Sequence, residues 1–397
     1  MLSIKTMTSP AAKPAAKMVP HMRWFRNLRL AVAVLLFTTL FSIALLCTTT
    51  AHAQTHSINA TPVIGLVEFY GAGKLPKDKL NAALGAKVGD PLPASKADVE
   101  ERINAVPGVV ESHLEAVCCD AGKMILYVGV EERGAPRFDV REAPEGEAKL
   151  PLEVLSVYRS YLEAVARAST TSGNATGNNI TRDLSRGYPV SSDPLSREIQ
   201  MKFPGLATEY ITDIREVLRN SYDEEQRAAA ALVAGYNIGP AGETKDARKI
   251  GAAITDLQFA LRDADAGVRA TAVDGLTALI VYARLHPEEK LETEPTWLVQ
   301  MLNSLSWSDR MHALNALLLL SDSRETKLLD LMRERALDSL VEMARWKTPE
   351  HALPAFVLTG RLAGIDEQKI QDAWAAGNRE PVLSAALALT PNKRKTK

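Results

Sequence analysis

A motif that recurs at a nearly constant interval constrains the fold of this chain more than any other feature. An arginine or a histidine followed by small and aliphatic residues stands at Arg227, Arg269, Arg310 and His351. A period of roughly 41 residues, with apolar positions at helical spacing, is typical of arrays in which each unit is a pair of helices. One pair cannot bury its apolar face alone, so the units are expected to stack on their neighbours.

The segment that precedes each motif repeats as well. Residues 257–261, 298–302 and 340–344 carry matching apolar patterns, and they follow one another at the same interval as the motif. Short polar turns follow these segments, and in one of them Thr348 precedes Pro349, a pair that favours a helix start. Each unit is therefore predicted to contain two helices joined by a polar turn.

The turn at residues 263–270 resembles the turn of a HEAT repeat. Its sequence is Asp-Ala-Asp-Ala-Gly-Val-Arg-Ala, and the match is specific for this unit and approximate for its neighbours. The last unit departs from the pattern because His351 replaces the arginine and Pro354 falls inside the helix. The resemblance implies an α-solenoid of HEAT-like repeats over residues 205–390, whose groove would bind a partner. An irregular helical domain without a superhelix is the alternative.

Two tryptophans, Trp307 and Trp346, lie in the turns of successive units. Large aromatic side chains are frequent anchors at protein interfaces, so both are candidate partner-binding residues. The alternative is that each ring packs on the start of its own helix or fills a gap between units.

Residues 62–133 carry the pattern of a small β-α-α-β-β module. The β-branched and aromatic residues of 63–70 predict a strand, and Ser95 with Asp98 three residues later predicts the start of a helix. Alternation over residues 110–116 predicts a strand with one face in solvent. The residues expected on that solvent face are Glu111, His113 and Glu115.

This module resembles a POTRA (polypeptide-transport-associated) domain. The matching positions are Gly71, Gly89-Asp90-Pro91, Pro107-Gly108-Val109 and Val130-Glu131-Glu132. POTRA domains generally bind extended segments of exported proteins by adding a strand to their sheet edge. The resemblance therefore implies exported or envelope proteins as partners, and an unrelated α+β fold is the alternative. The fold class expected for the whole chain is α+β, with this module followed by the helical repeats.

The N-terminus has the pattern of a secretory signal peptide over residues 1–53. Arginines precede an apolar run at 30–47, and Ala51-His52-Ala53 offers a cleavage site. The expected location is periplasmic or secreted. An inner-membrane anchor facing the periplasm is the alternative because the run is just long enough to cross a bilayer. A lipoprotein modified at Cys47 is a further alternative.

The remaining segments carry weaker signals. Residues 134–204 predict one helix and a flexible polar linker, and residues 391–397 form a basic tail. Cys118 and Cys119 are adjacent, which leaves two unpaired thiols or a strained ring as the alternatives. The 47 basic side chains nearly equal the 48 acidic ones, so the chain as a whole has no attraction to nucleic acid.

No spacing of histidines, cysteines, serines or glycines matches a known catalytic, metal-binding or phosphate-binding motif. The sequence therefore predicts a non-catalytic protein-binding scaffold of the bacterial cell envelope, with no cofactor and no metal. The alternatives are an enzyme or small-ligand-binding protein with a site on the concave face of the helical array, and a membrane-tethered envelope-assembly component.

Overall fold

The computed structural model describes residues 62–120, 122–171, 182–238 and 246–389. The predicted signal peptide, most of the predicted polar linker and the basic tail lie outside these ranges. Within them the chain is mixed α/β, with a small three-stranded sheet followed by a long series of helices. The sheet and the helices belong to one compact unit.

The first module has the predicted order β-α-α-β-β. Its elements are β1 (Ile64–Tyr70), α1 (Lys77–Leu84), α2 (Lys96–Asn104), β2 (Val109–Asp120) and β3 (Lys123–Glu132). The strand order is β1-β3-β2, with β1 parallel and β2 antiparallel to β3. Strand β2 is longer than the predicted 110–116 at both ends.

The two faces of this sheet pack on different partners. One face packs against α1 and α2, where Leu80 and Ile103 are fully buried beside Val128. The opposite face carries Tyr70 and Tyr127, which belong to the core of the helical region. The prediction that this second face lies in solvent is wrong for part of β2, because Glu115 and Val117 are half-buried there.

The β2–β3 hairpin also carries Cys118, which is disulfide-bonded. The alternative in which this thiol is unpaired is therefore wrong.

An extended segment at residues 133–150, called the strap below, connects the sheet to the helices. It is followed by α3 (Leu152–Thr171), two short paired strands and two short helices. These are β4 (Arg182–Asp183), β5 (Val190–Ser191), α4 (Pro194–Gln200) and α5 (Phe203–Glu209). Helix α5 ends just before Tyr210, where the backbone leaves helical geometry.

Ten further α-helices complete the described chain. They are α6 (Ile211–Asn220), α7 (Glu224–Ala234), α8 (Ala247–Ala260), α9 (Ala266–Leu285), α10 (Thr296–Gln300), α11 (Trp307–Leu320), α12 (Thr326–Ala344), α13 (Pro349–Leu362), α14 (Glu367–Ala375) and α15 (Glu380–Ala388). Helices α7, α9, α11, α13 and α15 pack on one another in that order. Helices α6, α8, α10 and α12 each pack on the helix that follows them.

The helix starts define the period of the array more closely than the sequence motif does. Helices α7, α9, α11 and α13 begin at Glu224, Ala266, Trp307 and Pro349. Counted from these starts, the position that holds an arginine in the first three helices holds Ala352 in α13. The structural equivalent of Arg310 is therefore Ala352, one residue beyond the His351 that the sequence alignment suggests.

Small residues allow α7 and α9 to cross closely. A Cβ atom placed on Gly275 would lie only 3.5 Å from the Cα atom of Gly235. Helix α9 is also long and apolar enough to cross a membrane by length and composition, but 61% of its most apolar window is buried inside the protein.

Candidate functional site

Three buried arginines occupy equivalent positions in the helical region. Arg227, Arg269 and Arg310 are each the fourth residue of their helices, α7, α9 and α11, and each is at most 5% exposed. Each donates to the main-chain carbonyl six residues earlier. The acceptors are Ser221, Asp263 and Ser304, at 2.9, 2.8 and 2.6 Å. The period of the motif therefore marks environments that are alike in three dimensions.

The first two arginines also bind a carboxylate from the next unit. Arg227 donates to both oxygens of Asp263 at 2.9 Å, and Arg269 binds Asp309 at 2.9 Å. All four side chains are nearly inaccessible to solvent. These charge-assisted pairs are short and directional, so each one fixes a unit against its neighbour.

The third arginine does not pair with an aspartate of the next unit. The positions that carry Asp263 before α9 and Asp309 in α11 are occupied by Trp346 and His351 around the start of α13. The nearest carboxylate to Arg310 is instead Glu342 of α12, with 3.7 Å between Nη1 and Oε2.

Glu342 connects this arginine to the sheet. The main-chain N–H of Gly71 donates to both carboxylate oxygens of Glu342 at 2.9 Å. The ring of Tyr70 covers the Arg310 guanidinium, with 4.5 Å between the guanidinium carbon and the ring centroid. Burial raises the pKa of Glu342, although the nearby Arg310 charge opposes the shift. The sheet therefore contacts Arg310 through the Tyr70 ring and holds Glu342 beside it, but Arg310 Nη1 is buried without a hydrogen-bond acceptor.

An aromatic cluster fills the rest of the junction. Tyr127 of β3 stacks on Trp307 at 5.2 Å between ring centroids, lies 5.1 Å from Trp346, and its hydroxyl lies 2.6 Å from His351 Nδ1. The structure therefore brings the two predicted partner-binding tryptophans together, against the chain's own sheet. Trp346 is only 1% exposed, so an external partner would reach it only by displacing the sheet. The prediction that these rings bind such a partner stays a prediction.

Two acidic side chains of the sheet bind the turns before α11 and α13. Glu115 accepts from the Ser306 hydroxyl at 2.5 Å and from the Ser308 N–H at 3.1 Å. Glu68 accepts from the Lys347 N–H at 3.1 Å. Carboxylates at a helix start satisfy unpaired N–H groups and interact favourably with the helix dipole. The sheet is therefore held by charge-assisted hydrogen bonds as well as by aromatic packing.

The strap contacts the two earlier turns through hydrogen bonds to main-chain carbonyls. The Arg141 N–H donates to the Arg262 carbonyl at 2.7 Å, and Arg262 Nε donates to the Asp139 carbonyl at 2.9 Å. Farther along, the Tyr222 N–H donates to the Gly146 carbonyl at 2.7 Å. All four turns that precede α7, α9, α11 and α13 are thus contacted by the N-terminal part of the chain.

A groove of about 1500 Å³ lies between the sheet, the strap and the helices. Its sheet wall includes Glu68, Glu111, His113 and Glu115, and the strap contributes residues 133–140. Its helical wall is rich in hydroxyl, amide and charged groups. These belong to Asn303, Ser304, Ser306, Ser308, Asp338, Ser339, Glu342 and Arg345. Such a lining suits a ligand with many hydrogen-bonding groups, such as an extended polypeptide.

In this groove Ser306 and His113 do not form a serine–histidine pair. The Ser306 hydroxyl donates to Glu115, and His113 Nε2 lies 3.4 Å from the same carboxylate rather than on the serine. Among the residues that the structure describes, no group of three or more histidine, cysteine, aspartate or glutamate side chains could hold a metal ion.

The sequence matches no known protein-family model and no curated protein. The resemblances to HEAT repeats and to POTRA domains therefore rest on the residues quoted for them.

Proposed function

We propose that this protein is a non-catalytic scaffold that binds extended segments of other proteins. The helical region would be a HEAT-like α-solenoid, and the POTRA-like module would be fixed at its C-terminal turns. Binding would use the groove between the sheet, the strap and the helices, together with the free edge of β2.

The observation that carries this proposal is the strap. Residues 139–147 lie extended along two turns of the helical region and are held there partly by main-chain hydrogen bonds. A Cβ atom on Gly146 would lie 2.1 Å from the Asn220 carbonyl oxygen, so the strap lies close against the turn. The turns therefore already bind an extended backbone, and the groove continues along the strap toward the sheet.

The edge of β2 offers a second surface. The strand order β1-β3-β2 leaves β2 at one edge, where unpaired N–H and C=O groups favour the addition of another strand. In its middle this edge is occupied, because the Leu114 N–H donates to Glu100 Oε1 at 2.7 Å. The later part, around the exposed Ala116, would be the part that pairs with a partner. The start of β1 is covered by its own chain, since the Ile64 N–H donates to the Asp90 carbonyl.

The proposed partners are exported or envelope proteins. This follows from the signal-peptide pattern at residues 1–53, which would place the protein in the periplasm or outside the cell. An uncleaved segment would instead tether it to the inner membrane. N-terminal sequencing of the mature protein distinguishes the two, because a start at Gln54 means cleavage.

Site-specific photo-crosslinking in the producing cell tests the proposal. A photoreactive side chain would replace Ala116 on the β2 edge or Asp338 in the groove wall. Leu353, which is 39% exposed on α13 and does not line the groove, provides the matched control. We expect reproducible crosslinks to exported proteins from Ala116, Asp338 or both, and none of these from Leu353. Crosslinks that are absent at both positions, or equally abundant at Leu353, would overturn the proposal.

A further inference from the structure

One end of the groove leads to a group of four arginines with few acidic partners. This arginine cluster consists of Arg141, Arg215, Arg219 and Arg262. Strap residues 138–140 line the groove, and Arg141 is the next residue in the chain. Ala264, two residues beyond Arg262, lines the groove as well. The cluster therefore lies next to residues that line the groove.

Aromatic rings hold three of these guanidinium groups. Phe259 lies between Arg141 and Arg219, whose guanidinium carbons are 3.2 and 4.6 Å from its ring centroid. Arg262 stacks on Trp297 at 4.3 Å. Stacking fixes the plane of a guanidinium group while its N–H groups remain able to donate to an acceptor in that plane. The cluster is therefore pre-organised for a planar, negatively charged group.

The carboxylates that contact the cluster do not balance its charge. Asp256 is 3% exposed at its side chain and is shared by Arg215 at 2.7 Å and Arg219 at 3.0 Å. Arg141 and Arg262 donate to main-chain carbonyls instead, at 2.7 and 2.9 Å. Within the described part of the chain, the structure gives neither of these two an ion pair with a carboxylate. Asp263, which attracts Arg141 electrostatically, has both oxygens bound to Arg227.

The hydrogen bonding and the pKa of Arg141 agree with this excess of positive charge. Its Nε atom is buried and has no hydrogen-bond acceptor. Burial lowers the pKa of Arg141 to about 10, and the nearby Arg262 and Arg219 charges add to that effect against the attraction of Asp263. A carboxylate placed beside the cluster would relieve the repulsion between these charges.

We infer that the segment bound in the groove is acidic where it passes the arginine cluster. The inference rests on the function proposed above for the groove. Aspartate and glutamate side chains match the fork of donors on a guanidinium group. Nucleic acid fits less well, because its binding commonly uses about 6–10 phosphate contacts, and the cluster provides four arginines in a chain with no net positive charge.

A peptide-binding measurement on the whole protein tests this inference. The probe is a fluorescein-labelled peptide of glutamate and serine, and its binding is followed by anisotropy. Peptides of the same length with glutamine or lysine in place of glutamate, and a single-stranded oligonucleotide of equal charge, are measured alongside. We expect the glutamate peptide to bind most tightly, and Arg262→Gln or Arg141→Gln to weaken it about tenfold each, as expected for one charged hydrogen bond.

Arg248→Gln is the matched control, since it removes one positive charge from α8 at a side chain that is 94% exposed. It is expected to leave the affinity unchanged. Arg141→Lys keeps the charge but loses the planar fork, so an intermediate affinity is expected. Circular dichroism of each variant shows whether it is folded.

Equal binding of the glutamine peptide, an equal loss in Arg248→Gln, or tighter binding of the oligonucleotide through the same arginines would overturn the inference. If Asp338 crosslinks partners while the glutamate peptide does not bind, the function of the groove stands and the acidic preference is wrong. If the peptide binds through Arg262 but no crosslink forms at Asp338 or Ala116, the cluster binds acidic groups and the proposed scaffold function is wrong.

Discussion

Buried arginines occupy the same position in three successive helices of the core, α7, α9 and α11, but the third has a different partner from the first two. Arg227 and Arg269 bind an aspartate supplied by the next helical unit, so their pairing is complete within the helical region. Arg310 has no such aspartate: Glu342, which accepts from the Gly71 N–H, lies 3.7 Å away, and the ring of Tyr70 covers the guanidinium. The difference arises because the next unit carries Trp346 and His351 at the two equivalent positions. Each earlier unit has an aspartate at one of these positions, whereas aromatic rings at both positions give the last turns a surface that binds the sheet.

The largest loss of stability is expected from breaking the buried ion pair between Arg269 and Asp309. Arg269→Met leaves the carboxylate of Asp309 buried without its cation, which is expected to cost about 3–5 kcal/mol of unfolding free energy. Chemical denaturation measures this loss. Arg248→Met, at an exposed position on α8, is the control and is expected to change the unfolding free energy little.

A double variant sharpens this test. Arg269→Met combined with Asp309→Leu removes both charges, and most of the lost stability is expected to return because buried ion pairs are often replaceable by apolar side chains. A double variant that is less stable than Arg269→Met would show that the pair itself contributes more than its replacement.

A smaller effect is expected from separating the sheet from the third arginine. A Cβ atom on Gly129 of β3 would lie 2.2 Å from the Leu305 carbonyl oxygen and 2.9 Å from the Tyr70 ring. Gly129→Ala is therefore expected to cost roughly 1–3 kcal/mol, as overpacking does. It should also shift tryptophan fluorescence to the red as Trp307 and Trp346 meet water.

Gly73→Ala is the matched control for this variant, because a Cβ atom there has no neighbour within 4 Å. If Gly129→Ala leaves both stability and fluorescence unchanged, the sheet is not held against the helices as described.

The smallest effects on the unfolding free energy are expected from changes of pH. They have opposite signs for Glu342 and Glu115, two acidic side chains where the sheet meets the helices. Burial raises the pKa of Glu342 above its usual 4.5. Glu342 therefore contributes stability below about pH 4.5 that is lost as the pH rises through its folded-state pKa. Burial also acts to raise the pKa of Glu115, but hydrogen bonds from His113 and Ser306 outweigh it and lower the pKa. Its contribution is present above about pH 4.5 and is lost as the pH falls.

Unfolding free energies measured across this range for Glu342→Gln and Glu115→Gln separate the two contributions. Glu342→Gln is expected to remove part of the decline with rising pH, and Glu115→Gln part of the loss with falling pH. If both variants change the pH dependence of the unfolding free energy with the same sign, the opposite pKa shifts given to Glu342 and Glu115 are contradicted.

Much of the secondary structure could be predicted from local patterns. The β-α-α-β-β order was predictable because Ser95 caps α2 through the Asp98 N–H, as its spacing indicates, and because the strands alternate regularly. The arginine motif was visible as a period. Its role as an ion-pair series was not visible, since Asp263 and Asp309 occupy different positions relative to their own helices. No fixed spacing from arginine to aspartate therefore repeats along the chain.

The function of individual surface residues was the least predictable part. Glu115 looks like a solvent-exposed residue of an alternating strand, and the chain gives no local sign that a distant turn will bind it. Two arginines of the cluster, Arg141 and Arg219, are far apart in sequence, and both lie over the ring of Phe259.

The sequence by itself determined the helix pairs, their period and the small sheet, because hydrophobic periodicity and capping act over a few residues. The tertiary structure alone decided that the sheet and the strap lie along the turns, and that the sheet contacts the third arginine. The physical reason is that these contacts join groups far apart in the chain, such as Gly71 and Glu342. Their pairing depends on shape and burial, which appear only when the chain has folded.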